Sequence, residues 1–234
     1  MGEADMNRRF FLQKTTAFCL GCMAMAKAGI SWAKGVPSDP GSTSAGASAP
    51  ETVALPAFEK SSGFPLEKAL HERRSVRSFD PAKKLSLEEI SRLLWAADGV
   101  NRSDGKRTAP SARARYPLEI LAALPDGVYL YEPAEHRMKK LISVDIRTAI
   151  PRQDNFKSAA MTVLYVIDTK KSEGKMEYAD LEIGCIGQNL FLQATAMGLA
   201  SCIFAYANID KVSKAIGLKE HQVFRMAQAV GAAK

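Results

Sequence analysis

Two hydrophobic periods alternate along residues 65–234. Pro65 to Arg73 sets Leu66, Ala69 and Leu70 on one side of a short helix. Ser86-Leu87-Glu88-Glu89 has the spacing of a capping box, in which serine and glutamate satisfy each other's free backbone N–H groups. Ile90, Leu93, Leu94 and Ala97 then recur at helical spacing, and Gly99 ends that helix. Residues 99–116 are polar and read as a loop. Leu118 to Leu124 and Val128 to Tyr131 are strand-like, and the turn triplet Pro125-Asp126-Gly127 between them predicts a hairpin. Ala134 to Ile142 reads as helix, and the apolar run Met161 to Ile167 as a buried strand. Glu177 to Met197 predicts a long helix, apolar over a wide arc and stopped by Gly198. Ile186, Phe191 and Met197 on that arc are candidates for an interface, and core packing explains them almost as well. Leu199 to Tyr206 is a strand, Asp210 to Ile216 a short helix and Val223 to Val230 a last strand. The interleaving places the chain in the α/β or α+β class, with layers around one sheet.

Neither period extends through the first 60 of the 234 residues. Arg8 and Arg9 precede Phe10, Phe11 and Leu12, a largely apolar run continues from Ala17 to Trp32, and Ser31-Trp32-Ala33 is a small-x-small triplet. A charged start, a short apolar centre and such a triplet predict an export signal over residues 1–33. The paired arginines followed by apolar residues resemble a bacterial twin-arginine signal, and hence a periplasmic destination. A membrane anchor is the alternative, but Lys27 interrupts the run and makes it a poor span. Cys19 and Cys22 lie inside the apolar segment without companion ligands. Residues 34–60, rich in Pro, Ser, Gly and Ala, read as a flexible linker. One domain follows over 61–234, long enough for a sizeable core.

Charge removes some classes of partner. The chain carries +7, which becomes +5 without the signal, and the charges are mixed along it. No basic block suggests nucleic acid. His71, His136 and His221 are scattered and lack metal-ligand spacing, and no Ser-His-Asp or Cys-His arrangement stands out. No metal site and no protein catalytic base are assigned. Cys185 and Cys202, the two cysteines of the folded part, read as buried free thiols.

The stretch HERRSVRSF is different. Arg73, Arg74 and Arg77 surround Ser75 with no acid among them, and like charges this close call for screening or for an anion. Guanidinium groups bind phosphate oxygens through a planar fork, and a serine adds a short hydrogen bond. Neither GxxxxGK[ST] nor GxGxxG occurs, so neither a P-loop nor a standard dinucleotide fold is supported.

RRSVRSFDP, LSLEEISRLLWAA, TAPSARARYPLEIL with GVYLYEP behind it, and IGQNLFLQATAMGLAS follow one another in this order. Together they resemble the nitroreductase family of flavoproteins, over nearly all of residues 64–234, and in particular its shorter members, which include azoline dehydrogenases. The resemblance implies an α+β nitroreductase-like fold, a central, mainly antiparallel sheet flanked by helices, in a homodimer with FMN held between subunits. It places Arg73, Arg74, Ser75 and Arg77 at the phosphate and ribityl end of FMN, and Pro110, Ser111, Ala112 and Arg113 along the edge of the flavin ring. Many members have asparagine where this chain has Ala114. Lys234, in Gly231-Ala232-Ala233-Lys234, corresponds to a lysine that faces the phosphate; a solvated last residue is the other reading. The resemblance to larger members leads us to expect no C-terminal arm like the one that wraps the partner there; the 50–65 segment as its replacement, or a smaller dimer contact, are the alternatives.

The function so implied is an FMN-dependent oxidoreductase. It transfers hydride or electrons through the flavin to a small organic acceptor of nitro, quinone, enone or azoline type. NAD(P)H, a quinone or a redox protein would be the donor. A non-catalytic flavin- or ligand-binding protein on the same fold is the alternative.

Overall fold

The computed structural model describes residues 51–61 and 63–234. The predicted export signal over residues 1–33 and residues 34–50 of the predicted linker lie outside the described residues. The strands are β1 (Thr52–Ala54), β2 (Leu118–Leu124), β3 (Gly127–Glu132), β4 (Arg137–Ile142), β5 (Met161–Asp168), β6 (Ala200–Phe204) and β7 (Gln222–Gly231). The α-helices are α1 (Leu66–Glu72), α2 (Leu87–Asp98), α3 (Met176–Ala196) and α4 (Ile209–Ile216). The strands form one seven-stranded sheet in the order β1-β4-β3-β2-β5-β7-β6, every neighbouring pair antiparallel. The fold is therefore α+β, an antiparallel sheet flanked, among the described residues, by four α-helices.

β5 is buried along its whole length because both faces of the sheet are covered. Val163, Tyr165 and Ile167 face one core layer with Ile90, Leu93 and Leu94 of α2 and Ile183 and Leu190 of α3. Leu164 and Val166 face the second layer with Phe79, Phe156, Val212 of α4 and Phe224 of β7. A strand covered on both faces loses the polar half of the strand alternation and reads as a continuous apolar run. The hairpin forms as expected, with Leu124 opposite Gly127 across the turn. The Ser86 hydroxyl accepts from the Glu89 N–H at 3.1 Å, and the Glu89 carboxylate accepts from the Ser86 N–H at 2.7 Å, completing the capping box of α2.

Four expectations are corrected. Residues 137–142 form a strand, not a helix: Met138, Leu141 and Ile142 have i, i+3, i+4 spacing, but pairing with β3 on one side and β1 on the other supplies the backbone partners. Residues 51–58 are not linker. β1 pairs with β4, the Leu55 N–H donates to the His136 carbonyl at 3.1 Å, and the Ser91 hydroxyl donates to the Pro56 carbonyl at 2.7 Å. This segment is thus spent on its own domain, where it covers a sheet edge, and is no replacement arm for a partner. Ile186 and Phe191 are buried within the protomer, so they do not form an interface. Of the two free thiols, Cys202 is buried but Cys185 is exposed.

Candidate functional site

The arginine segment leaves α1 at Arg73, whose N–H caps the helix by donating to the Ala69 carbonyl at 2.9 Å. The chain then runs extended along the end of the sheet. Ser75 lies beside Ser201 of β6 in a parallel bridge, with the Val76 N–H donating to the Ser201 carbonyl at 3.0 Å. Phe79 bridges Ala233, the Asp80 N–H donates to the Ala232 carbonyl, and the Lys234 N–H donates to the Ser78 carbonyl at 3.2 Å. Lys234 is therefore tied by its backbone to the same strip as the arginines, 160 positions after Arg74 in the sequence.

The side chains of the strip are rich in donors. Arg73 holds its guanidinium 5.3 Å from the Phe191 ring centre on α3. Arg74 bonds the carbonyls of His71 and Arg73 at 2.7 and 2.9 Å, and Arg77 reaches the Ser75 carbonyl at 3.4 Å. None of Arg73, Arg74, Arg77 or Lys234 forms an ion pair with a described residue, whereas Arg92, Arg107, Arg115, Arg137, Arg147 and Arg225 all do. These cations, of which Arg74, Arg77 and Lys234 are exposed and Arg73 is half-buried, form no ion pair with a described residue, and with the Ser75 hydroxyl they match the donor set that a phosphomonoester requires.

The backing of the strip is polar and closed to water. Tyr165 donates to the Gln228 side-chain oxygen at 2.5 Å, and the Gln228 amide donates to the Ser201 hydroxyl at 2.9 Å and to the Gly187 carbonyl at 3.2 Å. Gln228 and Tyr165 have no exposed surface and Ser201 almost none, so each polar atom must find its partner inside. Burial pushes the Tyr165 hydroxyl strongly upward, which keeps it a neutral donor. Gly187 allows the contact, because a Cβ there would stand 3.2 Å from both the Gln228 oxygen and the Ile203 side chain.

The second predicted element, Pro110-Ser111-Ala112-Arg113, is held from below by a residue that the motifs do not reveal. Glu182 of α3 is 7 % exposed, and its carboxylate accepts from the Ser111 hydroxyl at 2.7 Å and the Ala112 N–H at 3.1 Å. The Ser111 oxygen in turn accepts from the Tyr116 N–H at 2.8 Å. The loop turns through three left-handed non-glycine residues, Arg113, Ala114 and Tyr116, with φ of 56°, 53° and 47°. Such conformations persist where the surroundings enforce them. Pro110, Ala112 and Arg113 are exposed. Ser111, by contrast, spends its hydroxyl on the loop's own structure.

A buried ion pair lies behind this loop. Arg107 meets Asp98 at 2.5 Å and stacks 4.4 Å over the Tyr116 ring. Burial, joined by the nearby Glu182 charge, outweighs the pull of Arg107 and pushes Asp98 from 3.8 up to about 7. Burial also raises Glu182 against its bonds from Ser111 and Ala112. The signal for Glu182 is present in the sequence, though easily passed over. It is an acid three residues after Ala179 and four before Ile186, on the core-facing arc of its helix.

Within one protomer the two elements do not converge. Arg73 reaches α3 at Phe191 and Ser111 reaches it at Glu182, nine residues apart, or about 13 Å along a helix at 1.5 Å per residue. The intervening outer face of α3 carries exposed Leu181, Gly184, Cys185 and Gln188.

The family model described as the nitroreductase family matches residues 70–232. A Methanocaldococcus jannaschii protein, whose name marks it provisionally as a nitroreductase, is 29 % identical over 189 residues, covering 74 % of this chain and 93 % of the relative. A Ralstonia eutropha crystal structure, likewise named provisionally as a nitroreductase, superposes with a TM-score of 0.74 at 30 % identity, covering 78 % of this chain and 90 % of that one. A Desulfovibrio desulfuricans structure of the same naming, in complex with FMN, gives a TM-score of 0.54 at 22 % identity over 73 % of this chain and 87 % of that one.

Proposed function

The chain belongs to the nitroreductase family, and from that premise we propose that it is an FMN-dependent oxidoreductase acting on a small organic acceptor. The observation that carries this reading is the unpaired donor strip Arg73, Arg74, Ser75, Arg77 and Lys234, which assembles at one end of the sheet from two ends of the domain. The FMN complex of the Desulfovibrio relative supports the choice of cofactor, and the absence of a dinucleotide fingerprint favours FMN over FAD.

In this reading Arg73, Arg77 and Lys234 hold the phosphate, and the Ser75 hydroxyl adds a short bond. Pro110, Ser111, Ala112 and Arg113 border the ring. The chemistry that the flavin supplies when bound is hydride and electron transfer between a donor and an acceptor of nitro, quinone, enone or azoline type. The protein's own part is to fix the cofactor, leave one face open and place positive charge near it.

The active form is proposed to be a homodimer. The loop and the strip lie about 13 Å apart on one α3. An antiparallel pair of α3 helices, centred between Glu182 and Phe191, would carry the loop of one copy to the strip of the other. Exposed Gly184, Cys185 and Gln188 near the middle of that face suit such a contact, and a Cβ on Gly184 would meet no atom within 4 Å. The export signal of residues 1–33 places the protein in the periplasm in this reading. The twin-arginine route carries folded cofactor proteins, and NAD(P)H is scarce beyond the cytoplasm, so a quinone or a redox protein is the favoured donor.

Flavin content tests the proposal. Protein folded in the cytoplasm should be yellow and should release FMN on denaturation. Release of FAD, or a colourless protein that takes up no FMN, would overturn the assignment.

A further inference from the structure

A small cavity of about 40 Å³ lies between the 110–116 loop and the start of α3. Its lining combines apolar Ala112, Pro117 and Ala179 with Ser172 and with Arg113, Arg115, Lys175 and Tyr178. Three cations thus line a depression with one carboxylate, Glu182, whose oxygen is already engaged by Ser111 and Ala112. Arg115 is balanced at 2.7 Å by Glu173, which ties the 172–174 turn to the loop and so builds the far wall. Arg113 has no ion-pair or hydrogen-bond partner among the described residues, and Lys175 has only the face of Tyr178, 5.8 Å from the ring centre. Tyr178 is 47 % exposed and stands at the mouth.

We propose that this cavity recognises an anionic head group on the substrate, a carboxylate or a comparable planar oxyanion. The substrate's aromatic or other flat body would rest on Tyr178. This inference rests on the flavin reading and narrows it, by making the acceptor class anionic.

The size supports a head group and not a whole molecule. A single water needs about 10–15 Å³ of such volume, so the cavity admits a group of two or three heavy atoms and leaves the rest of the ligand outside. The chemistry supports an anion. Arg113 and Lys175 can each give a charge-assisted hydrogen bond to one oxygen, a gain that a neutral polar group does not match. The location supports a substrate. The cavity is built on Ala112 and Arg113, the residues placed at the ring edge, while the phosphate donors lie at the other end of α3 and are already accounted for. Lys175 and Tyr178 have no other assigned role.

The probe is 4-nitrobenzoate, with neutral 4-nitrobenzamide as its near isostere. Binding to the FMN-loaded protein is followed by calorimetry, and the same titration is run on flavin-free protein. The expected result is a preference for the carboxylate of about tenfold or more, weakened by salt. Lys175→Met should remove most of that preference, while Lys175→Arg restores it. Tyr178→Leu should weaken both probes alike. Both positions are exposed, so the variants should keep the wild-type circular dichroism. Equal binding of the two probes, or a preference that survives Lys175→Met unchanged, would overturn the proposal. Failure of the flavin reading is a separate result, since it appears as protein that takes up no FMN, and the flavin-free titration still reads the cavity.

Discussion

Glu182 offers the sharpest test of how the 110–116 loop, proposed to border the flavin ring, is held. Glu182→Ala removes the acceptor of the Ser111 hydroxyl at 2.7 Å and of the Ala112 N–H at 3.1 Å. A buried donor left without an acceptor costs about 1–3 kcal/mol, but Ala112 is exposed and its N–H can turn to water. The expected loss is therefore about 2–3 kcal/mol, most of it from Ser111 and from the small hole left beside Ala179 and Ile186. Glu182→Gln should behave differently. Burial already raises the carboxyl of Glu182, so removing its charge relieves a cost, and the amide oxygen can still accept both bonds. Its stability should stay within about 1 kcal/mol of the wild type. Urea unfolding followed by circular dichroism gives both values, and hydrogen exchange at the Ala112 and Tyr116 amides reports the loop itself. In the alanine variant both amides should exchange faster and FMN affinity should fall. A loss below about 0.5 kcal/mol with unchanged exchange would refute the anchoring role. A glutamine variant as damaged as the alanine one would show that the negative charge, and not acceptor geometry, does the holding.

Arg73→Ala should weaken FMN binding by about tenfold to a hundredfold in a fluorescence-quenching titration, with Arg73→Lys recovering only part, because an ammonium lacks the planar fork; equal affinity in wild type and Arg73→Ala would clear this residue of the phosphate. In the proposed antiparallel α3 pair Cys185 faces Gln188 of the copy and lies only about 4–5 Å along the axis from the copy's Cys185, so a short bis-maleimide should trap a covalent dimer that Cys185→Ser abolishes, and light scattering showing a flavin-loaded monomer would sink the arrangement. Asp98 sits at about 7 in the folded protein against an ordinary 3.8, so its contribution to stability is fully present below pH 3.8 and is lost as pH rises through 7. Relative to Asp98→Asn, the wild type should therefore lose stability between about pH 4 and 7 and then run parallel to it; urea midpoints across that range measure it, and two parallel curves throughout would mean that burial does not govern this carboxyl.

How much of this was legible in the sequence depended on whether the governing interaction was local. The capping box of α2, the Pro125-Asp126-Gly127 turn and the apolar run of β5 are local signals, and all three elements stand where the residues put them. Residues 137–142 failed because their spacing fits a helix and only pairing with β1 and β3 makes a strand. β1 failed because a three-residue edge strand carries almost no pattern of its own. The arginine cluster was visible because its charges are neighbours in sequence, and a backbone bond to Ser78 ties Lys234 to the same strip. Glu182 and Gln228 were not visible as site residues, since the bonds that give them meaning span 71 and 63 positions. The long helix was correctly found but read from the wrong side. Its most apolar residues, Ile186 and Phe191, serve the protomer's own core, and the face left over is the one with glycine, cysteine and glutamine.

That division of labour explains why α3 can serve two places at once. On its inner side Gly187 lets the helix approach β7 closely enough for the Gln228 amide to donate to the Gly187 carbonyl, and Gln228 passes the constraint to Ser201. Ser201 accepts the Val76 N–H, so the height of the arginine strip over the sheet is set by the same buried chain that fixes the helix. Nine residues earlier, Glu182 fixes the ring-edge loop to the same rod. A fully satisfied polar network in an otherwise apolar core adds little net stability over a well-packed hydrocarbon one, but it admits far fewer arrangements. In the proposed dimer, where the loop of one copy would meet the strip of the other, that restriction fixes both against the same helix and so sets their spacing. The polar residues in the least accessible part of the core are thus best understood as the reference frame for exposed residues that have almost no other support.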